Sequence, residues 1–463
     1  MKSALPLLSL LLAVSVHAGE FKTGAAQVKI TPPVGMPLAG SYATRVSNGT
    51  FDDLYAKAIV IERDGAKVAL VALDLSGTTR PCVAAARKLI AEQTGIAPER
   101  VLISATHTHS APVQTRGNLM DEITGATRPI AQEFTARLPE LIARAVSEAN
   151  AKLKPARASA LVAREEHISF NRRYWMKDGT LGWMTGRSPD AVRPAGPIDP
   201  DVGACYFAGT DEDATPLAAY VNFAMHATVV GGTRFSGDYP AAIAKRFGEF
   251  KGTNMVTLFA NGCCGNVNQI NPHWRAQGHG PREAERIGTV LTAAVFRDWP
   301  NLQALKTFAP RARSETLVLP RRKISEDEVT KARGLYAQME KGKKFTIPVM
   351  ANAVCVLDTL ANQDKPLEAE VQAIAFSDEL AIVALPGEIF VELGLALKKA
   401  SPFKYTFIAE LANGSIGYIP NKSAYPEGNY EVVSARCVEG SGEMLVEAAV
   451  NLLKELRAAV PSL

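Results

Sequence analysis

Short apolar runs that end in polar residues alternate along this chain with stretches of helical period, and that alternation restricts it to an α/β architecture. Residues 56–62 and 67–74 are two such runs joined by Arg63-Asp64-Gly65, the pattern of a hairpin. Residues 81–93 carry Val83, Ala86, Leu89 and Ile90 at helical spacing, and Gly95 closes the helix. Residues 101–105 form another short buried run leading directly into His107, and 130–153 read as a long amphipathic helix. Further strands are expected at 160–163, 218–224, 255–260, 370–376 and 380–385, and further helices at 239–250, 282–296, 325–341 and 444–458. The early hairpin rules out a purely parallel sheet. The expectation is one large domain over residues 19–463, with mixed β-sheets flanked by helices; the charged helix near 325–341, with the segment up to 360, reads as an excursion from it.

Composition narrows the partners. The formal charge of the 463-residue chain is only +4, with basic and acidic side chains interspersed, so nucleic acid is not an expected partner. Met1-Lys2, an apolar core at 5–16 and the small residues Val16 and Ala18 at the −3 and −1 positions form a secretory leader over residues 1–18. That implies a secreted or periplasmic protein. No later stretch reaches the roughly 18 apolar residues of a membrane span, so no integral membrane segment is expected. The six cysteines include no Cys-x-x-Cys pair, which gives a thiolate zinc site no support, and their pairing is not legible.

Of seven histidines, His17 falls in the leader. His107 and His109 stand in Ser104-Ala-Thr-His-Thr-His-Ser110, directly after a strand. In extended backbone, residues i and i+2 point the same way about 6.6 Å apart, so both imidazoles would face one site. Neutral imidazole suits zinc; the other reading is a pair of polar loop residues. His226, after the run at 218–224, reads more readily as a structural histidine than as a ligand. Glu388, in Pro386-Gly387-Glu388, puts a carboxylate beyond the end of the run at 380–385. His167, His273 and His279 read as loop residues, and Asp238 as a helix cap.

From about Phe21 onward the chain resembles the neutral/alkaline non-lysosomal ceramidases, in their N-terminal catalytic part. The likeness rests on Ile30-Thr-Pro-Pro-Val-Gly35, Asp53-Leu-Tyr-Ala-Lys-Ala58, the 104–110 motif and Asn222-Phe-Ala-Met-His226. It continues through Ser236-Gly-Asp238, Cys264-Gly-Asn-Val267, Pro386-Gly-Glu388 and Gly417-Tyr-Ile-Pro420. The resemblance implies a zinc ion held by His107, His226, Glu388 and Tyr418. It further implies that His109 is the acid/base, Arg172 (with Arg173 as the alternative) the catalytic arginine, and Tyr430 a second catalytic tyrosine. Zinc lowers the pKa of bound water to about 7, which supplies a nucleophile at neutral pH. The expected reaction is metal-activated water cleaving the amide of a small-molecule or lipid N-acyl substrate.

Two departures bear on the substrate. Asn268 stands where the ceramidases carry the serine assigned as nucleophile, and a carboxamide is no activated hydroxyl. Ceramidases also add a C-terminal β-sandwich, whereas the last helix expected here ends at Ala458. The identity of the acyl compound is therefore left open, ceramide included. A zinc esterase or lactonase is the next reading, and a non-catalytic binding protein retaining the fold is the third.

Overall fold

In the hairpin Tyr55–Arg63 and Ala66–Leu73 both strand faces are apolar, so both must be covered. Ala58, Val60, Ala69, Val71 and Leu73 pack beneath the helices Arg80–Thr94 and Pro129–Ala151. Ile59, Ile61, Val68, Leu70 and Ala72 face the opposite way, against Ile374, Phe376, Ile382 and Phe407 of a second sheet. The computed structural model describes residues 20–459, and over them this two-sided burial builds four layers: helices, a large sheet, a smaller sheet and helices again. The expected mixed sheets flanked by helices are what the chain forms. The leader at 1–18 lies outside the described residues.

The large sheet runs in the order Val256–Asn261, Pro216–Phe223, Asp201–Gly209, Lys154–Arg164, Lys22–Lys29, Tyr55–Arg63, Ala66–Leu73, Val101–Ala105, with Gln303–Ala304 added beside Lys154–Arg164. Its interior pairs are antiparallel and its outermost pair at each edge is parallel. Helices Asp238–Lys251 and Pro281–Arg297 cover the half that the first two helices leave bare. The small sheet is Arg311–Leu319, Leu367–Ala375, Leu380–Ala384, Tyr405–Ala409, covered on its far side by Val391–Ala400 and Ser441–Ala458.

Some elements escape sequence periodicity for physical reasons. Asp201–Gly209 contains Gly203, where a Cβ would fall 2.5 Å from the Phe407 ring; the sheets approach too closely there for any side chain. Arg311–Leu319 is a mostly exposed edge strand whose polar residues are followed by Leu317-Val318-Leu319, with no apolar alternation. The excursion is a pair of helices, Glu326–Glu340 and Ile347–Ala361, inserted between two strands of the small sheet. Its first member opens with a capping box between Ser325 and Glu328. All six cysteines are free and buried, so adjacent Cys263 and Cys264 do not bridge. Among the described residues, no helix is long and apolar enough to cross a membrane.

Parallel pairing sets up the site, because paired parallel strands end on the same side. The pairs concerned are Ala66–Leu73 with Val101–Ala105, Pro216–Phe223 with Val256–Asn261, and Leu380–Ala384 with Tyr405–Ala409. The segment after Tyr405–Ala409 then ties the two edges of the large sheet together. Glu410 N donates to Asn261 O (2.9 Å), while Ala105 N donates to Leu411 O (3.3 Å) and Asn413 N to Ile103 O (2.8 Å). The sheet is thereby curled, and the loops that follow its edge strands meet.

Candidate metal centre

The first histidine does not sit in extended backbone. The strand stops at Ala105, and His107 adopts the left-handed conformation (φ 66°), an unfavourable one for a side chain with a Cβ. Thr106 N and His107 N donate to Leu73 O (2.9 Å) and Leu75 O (2.9 Å), which holds the turn. The expected juxtaposition of His107 and His109 is real, but a turn produces it, not strand alternation. The two Nε2 atoms approach to 3.4 Å with the rings edge-on at 84°.

Ring tautomers follow from the partners. A carbonyl can only accept, so His107 Nδ1 carries the proton it donates to Ser76 O at 2.7 Å. His226 Nδ1 likewise donates to Cys264 O (2.7 Å) and Val267 O (3.1 Å). In the neutral rings, both Nε2 lone pairs then point into the site. Burial, and then the Arg172 charge, push the His226 pKa down to about 3, so this ring is neutral.

Glu388 Oε2 lies 3.2 Å from His226 Nε2 and 3.4 Å from His107 Nε2. Burial opposes the Glu388 charge, but His107 above all outweighs it and holds the carboxyl well below the usual range. A carboxylate oxygen facing the lone pair of neutral His226 is repulsive unless a cation lies between them. A tetrahedral ion about 2.1 Å from each donor requires donor separations of about 3.4 Å, which these separations match. Zinc therefore fits this donor set. His107, His109 and His226 also form a trio in which one ring nitrogen of each lies within 4.8 Å of the others.

Glu388 owes its position to backbone packing. Glu388–Ile389 pairs in parallel with Tyr418–Ile419, which sets Glu388 directly beside Tyr418. Gly265 N donates to Ile389 O (2.8 Å), and a Cβ on Gly265 would fall 2.5 Å from Glu388 O. Gly265→Ala is expected to push the Glu388 backbone away and to lower metal affinity by about 10- to 100-fold. Chelator competition measures this; affinity equal to the wild type would show that the close approach does not matter.

Arg172, not Arg173, belongs to the site. Its Nη2 donates to Tyr418 Oη (3.1 Å) and Gly265 O (2.8 Å), and Nη1 lies 3.3 Å from His226 Nε2. Its guanidinium carbon lies 5.6 Å from the Tyr418 ring centre, 5.7 Å from that of Tyr430 and 5.8 Å from that of Trp183. Burial acts against its charge, but Tyr418, Glu431 and Tyr430 prevail and raise its pKa. Arg173 turns away to Glu427 (3.0 Å), Glu431 (2.9 Å) and Gly428 O (3.1 Å). Tyr418 and Tyr430 stack edge-on with centroids 5.3 Å apart. Burial, with Glu388 nearby, pushes the Tyr430 hydroxyl up to about 12, so it remains a proton donor at neutral pH.

Sequence reasoning missed the residues that hold this set in place. Glu431, fully buried, binds Arg172 Nε at 2.8 Å and Arg173 Nη1 at 2.9 Å. Glu410, also fully buried, accepts from Cys264 N (3.0 Å), Cys264 Sγ (2.7 Å) and Ile389 N (2.9 Å). It thus joins the loop behind His226 to the one that carries Glu388. Burial raises the Glu410 pKa to about 8. Glu431 adjoins Tyr430 and Glu410 follows a strand, but nothing in the sequence marks either as paired. Ala351 of the inserted helix, with Tyr42 and Trp183, packs against Tyr418 and Tyr430, so the excursion forms a wall of the site.

The remaining polar candidates do other things. His167, His273 and His279 are exposed. Asp238 binds Val230 N (2.7 Å) and Tyr239 N (2.7 Å), tying a loop to the start of its helix instead of capping it in the usual way. Asn268 is buried, and its Oδ1 accepts from Ile270 N (3.0 Å). Burial drives the Cys264 thiol pKa well above its ordinary value, so it is no nucleophile.

A four-layer α/β fold with a histidine-rich centre where its loops converge is the class to which this chain conforms. The fold is that of the neutral ceramidases. A crystal structure of neutral ceramidase from Pseudomonas aeruginosa superposes with a TM-score of 0.75 at 19% identity, covering 96% of this chain and 76% of that one. A ceramidase complexed with C2 superposes at 0.72 and 16% identity with the same coverage. No protein-family model matches the chain, and no curated protein sequence matches it.

Proposed function

We propose that this chain is a zinc-dependent hydrolase that cleaves the amide bond of an N-acyl compound, with residues 19–463 as one catalytic domain. The observation that carries the reading is the confrontation of His107 Nε2, His226 Nε2 and Glu388 Oε2 at separations that suit a tetrahedral cation. These three would hold zinc, with the Tyr418 hydroxyl as a further oxygen donor; imidazole donors favour zinc over magnesium or calcium. Zinc, when bound, supplies Lewis acidity to the substrate carbonyl and to water.

The chain's own groups supply the rest. Burial and the neighbouring imidazoles hold the His109 pKa well below its ordinary value, so the free ring is neutral. Its role is that of the acid/base, which takes a proton from attacking water. It then delivers that proton to the departing amine nitrogen. Tyr430, a protonated phenol, donates to the oxyanion that forms on the carbonyl, and the permanently charged Arg172 favours the same charge. Glu431 fixes Arg172 in that position. With Asn268 in the serine's place, water is the nucleophile. We place the protein outside the cytoplasm, on the strength of the leader at residues 1–18.

The test is metal analysis of purified protein, followed by assay of chelated and zinc-reloaded samples on N-acyl amides and the matching esters. Zinc-restored amide cleavage is expected; turnover unaffected by chelation would overturn the reading. His109→Ala is expected to keep the metal and lose about 10²- to 10⁴-fold in rate, the range of a positioned acid/base. If His109→Ala empties the site, the ring is a ligand and its assignment as acid/base is wrong.

A further inference from the structure

Near the metal centre, among the described residues, lies one guanidinium with no carboxylate bound to it. Arg116 Nη2 is 3.8 Å from where a Cβ on Gly77 would stand, and Gly77 follows Ser76, whose carbonyl holds His107 Nδ1. The Gly77 carbonyl is itself held by Gln114 Nε2, two residues before Arg116 (2.6 Å). The neighbouring carboxylate of Asp121 is occupied by backbone: it accepts from Arg116 N (3.0 Å) and Gly117 N (2.6 Å). Among the described residues, the Arg116 guanidinium has no ion pair and no hydrogen bond.

The other arginines around the site differ. Arg172 and Arg173 bind Glu431, and Arg436 binds Asp358 at 2.8–2.9 Å. Arg45 is held by backbone carbonyls of Ala39, His109 and Gly232. Arg116 is exposed to solvent, yet surrounding protein desolvates it enough to lower its pKa. Its approach to Gly77, next to the Ser76 that holds His107, sets it near the metal centre, and among the charges it feels is that of Glu388.

We propose that Arg116 binds a carboxylate on the leaving side of the substrate, which makes the preferred substrates N-acyl amino acids. This deepens the hydrolase reading and rests on it. A planar guanidinium fork matches a carboxylate in two parallel hydrogen bonds. In an N-acyl amino acid only the nitrogen and Cα separate the scissile carbon from the carboxylate carbon, so an anion site adjoining the metal centre is within reach. Water adds to the acyl carbon and the C–N bond breaks. The nitrogen takes a proton, and the products are a fatty acid and a free amino acid.

The experiment compares N-dodecanoylglycine with N-dodecanoyl-propylamine on the zinc-loaded full chain and on Arg116→Met. Calorimetric binding of N-dodecanoylglycine to the metal-free proteins is measured in parallel. The wild type is expected to favour the anionic substrate in kcat/KM, and the variant to lose roughly 10- to 100-fold of that preference through a higher KM, the range of a charge-assisted pair. If neither compound is cleaved, the hydrolase reading fails; Arg116-dependent binding by calorimetry would still support the anion site, and its absence would overturn it. If the neutral amide is preferred, or the preference survives in Arg116→Met, the inference is wrong while the hydrolase reading stands.

Discussion

His226→Ala is expected to empty the metal site and abolish turnover together. His226 is 1% exposed, and its ring is held from behind by two carbonyls, so its Nε2 has one accessible direction, toward Glu388 and Arg172. Alanine removes one of three closely spaced donors and leaves Glu388 and Arg172 without the group between them. Zinc held by two protein donors and a tyrosine is far weaker than by three and a tyrosine. Metal per chain is expected to fall close to zero after dialysis, with activity at the chelated baseline. Retention of one metal per chain would mean that the ion is bound elsewhere.

Glu431→Ala is expected to be the most destabilising of the substitutions considered. The carboxylate is fully buried and serves two arginines, each of them at most 6% exposed. Without it Arg173 retains Glu427, but the other partners of Arg172 are uncharged: a carbonyl, a phenol and an imidazole. Removing one member of a buried ion pair costs about 3–5 kcal/mol, because the remaining charge stays desolvated. Total stabilities of about 5–15 kcal/mol are common, so the loss is large. Denaturant unfolding should show the midpoint falling sharply, and Glu431→Gln should fall less. A midpoint unchanged from the wild type would mean that Arg172 and Arg173 do not depend on this carboxylate.

The strands that deliver His107, His226 and Glu388 were legible because each is a run of apolar residues stopped by polar ones, and burial on both faces demands such runs. The helices at 80–94, 129–151, 238–251 and 281–297 carried apolar spacing and start or stop residues within one or two positions of the observed ends. The curling of the large sheet was not legible, since it depends on hydrogen bonds from residues 410–413 to strands far away in sequence. For the same reason nothing in the sequence marks Glu410 and Glu431 as buried and paired. The turn at His107 was misread as extended backbone, because a left-handed histidine gains its stability from Leu73, Leu75 and Ser76 and not from its own propensity. Choosing between Arg172 and Arg173 required knowing where Glu427 lies.

The proposed function depends on one divalent ion meeting donors from three separated loops. Diffraction data from crystals of the zinc-loaded protein, collected on both sides of the zinc absorption edge, would locate that ion directly. One anomalous peak is expected at about 2.0–2.2 Å from His107 Nε2, His226 Nε2 and Glu388 Oε2 together. A peak bound to other residues, or no peak among these side chains, would contradict the assignment of the centre and the hydrolysis proposed around it.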